Sequence, residues 1–312
     1  MRKYVLLFAA LVLVMLAGIT VMAQDGDCTA CHSEEATISG AELAWSNSVH
    51  GTGAAYVRGT NASCAGCHSG GAFSAMVADG LRPDQVEEGD PNPTRQDCRT
   101  CHNIHATYTE ADWSLETTDP VDLYAFEGVT FDGVAGNLCA NCHQPRRQMV
   151  AEDGIVNVSS THWGPHHGPQ SAVMLGVGGA GEVEGEASEH YDWVENTCVT
   201  CHVDNYNHSF LPSVNSCLEC HDEAEDFDIG GLQTQVGELV AELQEGLVAK
   251  GMLDGDEEHG FHPVVGEYSE AAAAALWNYI FLVIEDGSHG VHNPPYTIKL
   301  LEWSIEALSM VE

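Results

Sequence analysis

Residues 198–221 read CVTCHVDNYNHSFLPSVNSCLECH, and the pattern C-x-x-C-H stands at both ends of this stretch. The same pattern occurs four more times, so all 12 cysteines of the 312-residue chain lie in six such motifs. The motifs are Cys28, Cys31 and His32; Cys64, Cys67 and His68; Cys98, Cys101 and His102; Cys139, Cys142 and His143; Cys198, Cys201 and His202; and Cys217, Cys220 and His221. Because no cysteine is left over, one shared use for all of them is indicated.

The C-x-x-C-H spacing is typical of the attachment of c-type haem. Two thiols add to the two vinyl groups of one porphyrin, and the following histidine becomes the proximal iron ligand. Redox-active cysteine pairs and zinc knuckles also use paired cysteines, but neither requires a histidine directly after the second one. The sequence therefore predicts six covalently attached haem c groups.

The remaining histidines are numerous enough to supply the second axial ligand of every iron. The chain has 17 histidines, six of them in the motifs, so eleven remain for at most six distal positions. The distal candidates are His50, His105, His166, His167, His190, His208 and His292. His105 follows His102 by three residues, too close for both rings to reach one iron easily, so we expect it to serve a neighbouring haem.

Three histidines crowd the stretch THWGPHHGPQ at residues 161–170. His162, His166 and His167 cannot all be ligands, since adjacent side chains point apart, and at least one is expected to hydrogen-bond to a ligand instead. The other histidines, His259, His262 and His289, are expected at the surface, beside a ligand or at a subunit contact.

The charge of the chain limits its partners. Aspartate and glutamate outnumber lysine and arginine by 47 to 10, for a formal net charge of −37. Nucleic-acid binding and docking on anionic lipid both need a basic surface, so both are excluded. Cations and basic redox partner proteins are attracted instead.

The first residues predict export. Arg2 and Lys3 precede an apolar run, and Val21-Met22-Ala23 resembles a cleavage site, so residues 1–23 are expected to be a signal peptide. An uncleaved anchor is the alternative, since the run is long enough to span a bilayer, and only then would the protein be attached to a membrane. An extracellular or cell-surface location is expected, with the periplasm as the alternative.

The fold class follows from the distribution of motifs. We predict a mainly α chain with extensive irregular loops that folds around its haems, and a C-terminal helical segment. The expected domains are a hexahaem-binding domain at residues 24–228 and a C-terminal helical region at residues 229–312 that contributes a distal ligand. Helical spacing of apolar residues marks 232–251, 270–287 and 297–310. The glycine- and acid-rich stretch 175–190 is expected to be an exposed loop.

Several segments resemble those of a known group of cytochromes. SVHG before CAGCH, CRTCHNIHATY, NLCANCHQPRR, THWGPHHGPQ, CVTCHVDNYNHSF and CLECHD, over residues 28–221, resemble extracellular multihaem cytochromes of the nanowire-forming kind. DGSHGVHNPPY is similar to the C-terminal region of the superfamily of cytochrome c nitrite reductases, hydroxylamine oxidoreductases and octahaem tetrathionate reductases. The resemblance implies stacked haems that pass electrons along a chain, and subunits that can lend a histidine to the next.

Three functional interpretations stay open. The first is an electron conduit of six bis-histidine haems to an extracellular acceptor, and the second is a filament subunit with the same chemistry. The third is an oxidoreductase that acts on a small nitrogen or sulfur compound at one haem without a distal ligand. The C-x-x-C-K motif of nitrite reductases is absent.

The acidic run DGDEEH at 254–259 is a candidate Ca²⁺ site, although it lacks the EF-hand pattern.

Overall fold

The computed structural model describes residues 35–166, 168–256 and 258–311. Up to residue 228 its helices are short and joined by irregular loops. They are α1 (Glu35–Ser46), α2 (Val49–Thr52), α3 (Ala62–His68), α4 (Gly70–Ala78), α5 (Cys98–Cys101), α6 (Gly136–Ala140), α7 (Gln170–Met174), α8 (Glu189–Trp193) and α9 (Cys198–His202). Single 3₁₀ turns lie at Ala55–Thr60, Pro83–Gln85, Glu110–Trp113, Asp204–Tyr206, Val214–Cys217 and Ile229–Gly231.

Strands are few and pair only in twos within the described residues. β1 (Val121–Asp122) pairs with β2 (Thr130–Phe131), and β4 (Leu253–Asp256) pairs with β5 (Gly260–Pro263). The third pair is long-range, since β3 (Ile155–Val158) runs antiparallel to β6 (Gly266–Ser269). That pair ties the middle of the chain to its C-terminal helices.

The C-terminal region consists of three longer helical segments. They are α10 (Leu232–Ala249), α11 (Glu270–Tyr279) with its π-helical continuation Ile280–Asp286, and α12 (Pro294–Ser309). Residues with positive φ follow α10 and the π-helical turn, Gly251 at 67° and Gly287 at 67°, a conformation that suits glycine at a helix end. The side chain of Asn293 caps α12 by accepting a hydrogen bond from the Tyr296 amide at 3.2 Å.

The main hydrophobic core lies under these helices. It joins Leu243, Trp277 and Leu300 to Phe131 and Val156 from the middle of the chain, and all five are almost fully buried. The second cluster is much smaller and contains Phe73, Met76 and Leu138 as its buried members. The residues around the second and third motifs therefore have little apolar core of their own among the described residues.

The stretch 175–190 differs from the predicted exposed loop. Its glycine-rich half packs on α11 and α12, with Ala180 buried. The Asn278 side chain hydrogen-bonds to both backbone groups of Ala180, accepting from its N–H at 2.7 Å and donating to its C=O at 2.9 Å. Tyr296 Oη accepts from the Gly179 amide at 2.9 Å. Glycines in this stretch thus allow its backbone to approach the helices closely. Its composition alone had suggested a solvated loop.

The predicted fold class is confirmed: the chain is mainly helical, has little sheet and has long irregular loops. The helices expected at 232–251, 270–287 and 297–310 are present, with α12 beginning three residues earlier at Pro294. In the part of the chain that the structure describes, no helix has the length and apolar character needed to cross a membrane. The predicted signal peptide lies outside the described residues, and the predicted domain boundary at 228 stays a prediction.

Candidate haem sites

Five of the six C-x-x-C-H motifs lie in the described residues, and the first, with Cys28, Cys31 and His32, lies outside them. The described motifs form short helices or turns that bring the histidine beside its cysteines. Local capping explains two of these helices. The Asn61 side chain accepts from the Ser63 amide at 3.0 Å to begin α3, and Asp97 accepts from the Arg99 amide at 2.9 Å to begin α5.

Each of the five described motif histidines faces a second histidine from elsewhere in the chain. The ring centroids lie 6.2–6.4 Å apart in all five pairs. The pairs are His143 with His50 at 6.2 Å, His68 with His166 at 6.4 Å, His102 with His208 at 6.3 Å, His221 with His190 at 6.4 Å, and His202 with His292 at 6.2 Å.

This separation fits two axial ligands on opposite sides of one metal. An imidazole nitrogen binds a metal at about 2.0–2.1 Å, so each ring centroid would lie roughly 3.2 Å from the metal and a trans pair roughly 6.3 Å apart. A tetrahedral pair would place the centroids at only about 5 Å by the same geometry. The five pairs therefore fit a haem iron with two axial imidazoles.

The partners are not the nearest histidines in the sequence. His50 precedes the second motif but faces His143 of the fourth. His190 precedes the fifth motif but faces His221 of the sixth, and His208 faces His102 of the third. The pairing is thus set by the tertiary fold.

Most of these rings have Nδ1 engaged, which leaves Nε2 for a metal. Nδ1 donates to backbone carbonyl oxygens in four of them. The acceptors are Trp113 for His102 at 2.8 Å, Val291 for His190 at 2.7 Å, Phe210 for His202 at 2.8 Å, and Tyr206 for His208 at 2.7 Å. Hydrogen bonds of this kind fix the tautomer and the orientation of metal-binding histidines.

Two side chains that the sequence did not single out hold further rings. Gln170 Oε1 accepts from His143 Nδ1 at 3.1 Å, and the amide of Gln170 donates to the Glu285 carbonyl at 2.8 Å. The buried carboxylate of Asp286 accepts from His292 Nδ1 at 2.7 Å. The segment 285–286 therefore holds both His292, which faces the fifth motif, and, through Gln170, the fourth motif's His143.

Electrostatics act differently on two of the distal candidates. Burial lowers the pKa of His50 to about 4, helped by the nearby His143, so His50 is neutral near pH 7 and its lone pair is available to a metal. Burial also acts to lower the pKa of His292, but the charge and hydrogen bond of Asp286 outweigh it and the pKa is raised. Asp286 would thus make His292 a more electron-rich ligand for a metal.

His166 has a different neighbour. Arg146 Nη1 lies 3.3 Å from His166 Nε2, so a cationic donor stands beside this ring. This contact engages Nε2 of His166, the nitrogen that is left for a metal in the rings held at Nδ1.

Contacts between motifs place the fourth one centrally. The Cys142 thiol contacts the Cys67 thiol of the second motif, and the Cys139 thiol contacts the Cys198 thiol of the fifth. The His50 ring also meets Phe210 at a centroid distance of 4.9 Å, and the Phe210 carbonyl holds His202. Porphyrins attached at the second, fourth and fifth motifs would therefore be neighbours.

The histidines outside these five pairs have other surroundings. His105 stacks on Tyr108 with ring centroids 5.3 Å apart and is not paired with a described motif histidine; its ligand role stays a prediction, as does that of His167, which lies outside the described residues. His259 donates to the Asp256 carboxylate at 2.9 Å, and His289 lines a cleft of about 150 Å³ beside α10. His162 and His262 face each other at 6.2 Å, which the sequence had not suggested.

The predicted Ca²⁺ site gains no support. The Asp256 carboxylate is occupied by hydrogen bonds from the Glu258 and His259 amides, at 3.0 and 2.7 Å. Within the described ranges no three acidic, histidine or cysteine side chains form a group that could hold a metal ion.

Comparison with solved structures identifies the fold. The chain is similar to the crystal structure of the outer cell wall cytochrome OcwA, with a TM-score of 0.55 and 22% identity over 86% of this chain and 50% of that one. It is also similar to an undecaheme cytochrome from the S-layer of Carboxydothermus ferrireducens, with a TM-score of 0.48 and 19% identity over 86% of this chain and 41% of that one. The chain spans about half the length of OcwA. No family model and no curated protein matches it. The likeness to OcwA shows that this chain shares the fold of that cytochrome.

Proposed function

We propose that the protein is a multihaem c-type cytochrome that carries electrons along closely spaced haems. The five facing histidine pairs carry the proposal, because each joins a C-x-x-C-H motif to a second imidazole at a separation suited to one iron. With the first motif included, six haem c groups are proposed. In this arrangement the cysteines of each motif would attach one porphyrin, and the two histidines of each pair would hold its iron.

Closed axial positions favour electron transfer over catalysis. An iron with two imidazoles has no position open to a substrate, and its geometry changes little between oxidation states. The contacts of the fourth motif with the second and fifth support a continuous path through at least three haems.

The remaining parts of the proposal concern location and partners. The signal-like N-terminus supports an exported protein, at the cell surface or outside it. The net charge of −37 supports basic redox partners or a cationic external acceptor. OcwA is named as an outer cell wall cytochrome, and a similar place is proposed for this chain. Self-association into a filament is part of the proposal only if a neighbouring subunit donates a histidine ligand to one of the irons.

Low-temperature electron paramagnetic resonance of the oxidised holoprotein tests the proposal. We expect only low-spin haem signals that do not change when nitrite, hydroxylamine or cyanide is added. A pyridine haemochrome assay should give six c-type haems per chain, and electron microscopy of the same sample would reveal filaments.

A high-spin haem that takes up an added ligand would contradict a fully closed conduit and favour the oxidoreductase interpretation. A monomer that lacks a histidine donated by its neighbour would give the same signal, so the measurement is repeated on assembled material. If the high-spin signal persists there, turnover of small nitrogen and sulfur compounds is the next assay.

A further inference from the structure

A sixth pair of facing histidines lies outside all the C-x-x-C-H motifs. The rings of His162 and His262 have centroids 6.2 Å apart and planes inclined by 71°. Neither residue follows a cysteine pair. The five pairs at the motifs have separations of 6.2–6.4 Å and inclinations of 43–81°, and the sixth pair falls within both ranges.

The two histidines lie near the end of the strand pair formed by β3 and β6. In the ladder of β3 and β6, Val158 lies opposite Gly266. Following the antiparallel register four residues further along each chain leads to His162 on one side and His262 on the other. The ladder itself ends at Val158, and the Trp163 amide donates to the Ser160 carbonyl at 3.0 Å in a turn, so the rings meet beyond the paired strands.

Both residues are held by rigid neighbours. Trp163, next to His162, is buried and packs against Trp277 with ring centroids 5.2 Å apart. His262 lies in β5, paired with Asp254 of β4. The two rings themselves are exposed, as are the haem-facing rings of His143 and His221. A site on rigid elements that opens to solvent is suited to taking up a ligand from outside.

The separation identifies the kind of ligand. Two imidazoles on a tetrahedral metal ion would have centroids about 5 Å apart, whereas a trans pair gives roughly 6.3 Å. A trans pair requires equatorial ligands from another source. No cluster of three or more metal-binding side chains exists in the described parts of the chain, so the protein does not supply them there. A porphyrin brings its own four nitrogens.

A covalently attached haem does not fit between these rings. A haem c takes its proximal ligand from its own motif, and so has only one axial position left for another histidine. A haem at the first motif could use one of these two rings but not both. We propose that His162 and His262 together bind one iron porphyrin non-covalently, as a haem b, in addition to the six covalent haems.

Solvent extraction separates the two haem types. The purified holoprotein is treated with acidified acetone, which removes haem b and leaves haem c attached, and each fraction is quantified as the pyridine haemochrome. We expect about one extractable haem per chain. The single variants His162→Ala and His262→Ala should lose it and keep six covalent haems, and the control His289→Ala should retain both fractions.

A haemin titration covers the case in which the site is empty after purification. Wild-type protein should bind one equivalent of haemin with a low-spin Soret band, and both variants should not. The proposal is overturned if no haem is extracted and no haemin binds. It is also overturned if the dialysed protein holds copper, nickel or zinc at this pair, or if either variant converts a covalent haem to high spin. The last result would assign one of these rings to the haem of Cys28 and Cys31.

Discussion

At the level of single residues, the histidines fall into two groups that the sequence could not separate. Ligand and non-ligand histidines have the same side chain, and their roles depend on what they face. His208 faces His102 at 6.3 Å, whereas His105, three residues after His102, stacks on Tyr108. The difference lies in the loop between the fifth and sixth motifs, which folds back onto the third.

Replacing a distal candidate tests these pairs one at a time. His208→Ala removes the second imidazole from the third motif, so we expect one haem to become high-spin and to bind added cyanide. Electron paramagnetic resonance with spin quantification measures the change, and added imidazole should restore the low-spin signal. His289→Ala is the control and should leave every haem low-spin. An unchanged spectrum in the His208 variant would mean that another residue ligates that iron.

The negative charge of Asp286 is expected to act on the haem that His292 faces. Its carboxylate accepts from His292 Nδ1 at 2.7 Å in a buried setting. The negative charge stabilises the oxidised, more positive haem, so Asp286→Asn should raise one reduction potential. A hydrogen bond to a charged group contributes about 1.5–3 kcal/mol, and a tenfold change in a one-electron equilibrium is about 59 mV. Because only part of that energy differs between the two oxidation states, we expect a rise of roughly 30–100 mV.

Spectroelectrochemical titration of the holoprotein measures that shift. Asp256→Asn is a matched control, because Asp256 makes the same kind of bond to a histidine, at 2.9 Å from His259, but at an exposed site. The control should leave all potentials unchanged. If the two variants give the same curve, Asp286 does not tune the haem of the fifth motif.

At the level of elements, the helices that depend on a local pattern of residues were predictable from the sequence. The apolar spacing over 232–251 predicted α10, and the structure has Leu232–Ala249, ending before Gly251 at φ 67°. Short helices carry three of the C-x-x-C-H motifs, namely α3, α5 and α9. These features need only neighbouring residues and their caps.

Features that depend on distant residues were not predictable from one sequence. The approach of His50 to His143 spans 93 positions, and no local pattern encodes it. The glycine-rich part of 175–190 was expected to be exposed because glycine and acid are typical of loops. It packs inward because Asn278 and Tyr296 satisfy its backbone groups. Gln170 and Asp286 also escaped notice, since an amide or a carboxylate becomes a ligand support only where the fold brings a histidine to it.

The close packing of Gly179 predicts that replacing it with alanine destabilises the protein, whereas the same replacement in the control should stabilise it. A Cβ at Gly179 would lie 2.5 Å from Leu300 Cδ2 and 2.7 Å from Tyr296 Oη. Leu300 is fully buried, so it has little room to move. Overpacking of this kind costs about 1–3 kcal/mol, and Gly179→Ala should lower the free energy of unfolding by that amount.

Gly237→Ala is the matched control. Gly237 lies inside α10, and a Cβ there would meet nothing within 4 Å outside its own stretch of helix. Alanine is favoured over glycine in a helix by about 1 kcal/mol. Denaturant unfolding of the holoproteins, followed by far-ultraviolet circular dichroism, should show the two variants shifted in opposite directions. Equal stability of the Gly179 variant and the wild type would show that the loop does not hold this close contact.

At the level of the whole molecule, apolar core is distributed unevenly along the chain. The main core lies between the middle of the chain and α10 to α12, whereas the cluster of Phe73, Met76 and Leu138 is small. A protein segment needs buried apolar area to offset the loss of chain entropy on folding. With haems attached as proposed, porphyrins would supply that area around the second and third motifs, where the loops are long and irregular.

Removing the haems should therefore unfold the two regions unequally. In a variant with all cysteines of the motifs replaced by alanine, hydrogen exchange measured by mass spectrometry should show lost protection over residues 55–118, with no sharp loss over α10 and α12. The wild-type holoprotein is the reference, and it should be protected in both regions. The free energies of local opening differ because α10 and α12 keep their buried contacts, such as Leu243 and Leu300, without any haem. Simultaneous loss of protection in both regions would show instead that the haems stabilise the whole chain as one cooperative unit.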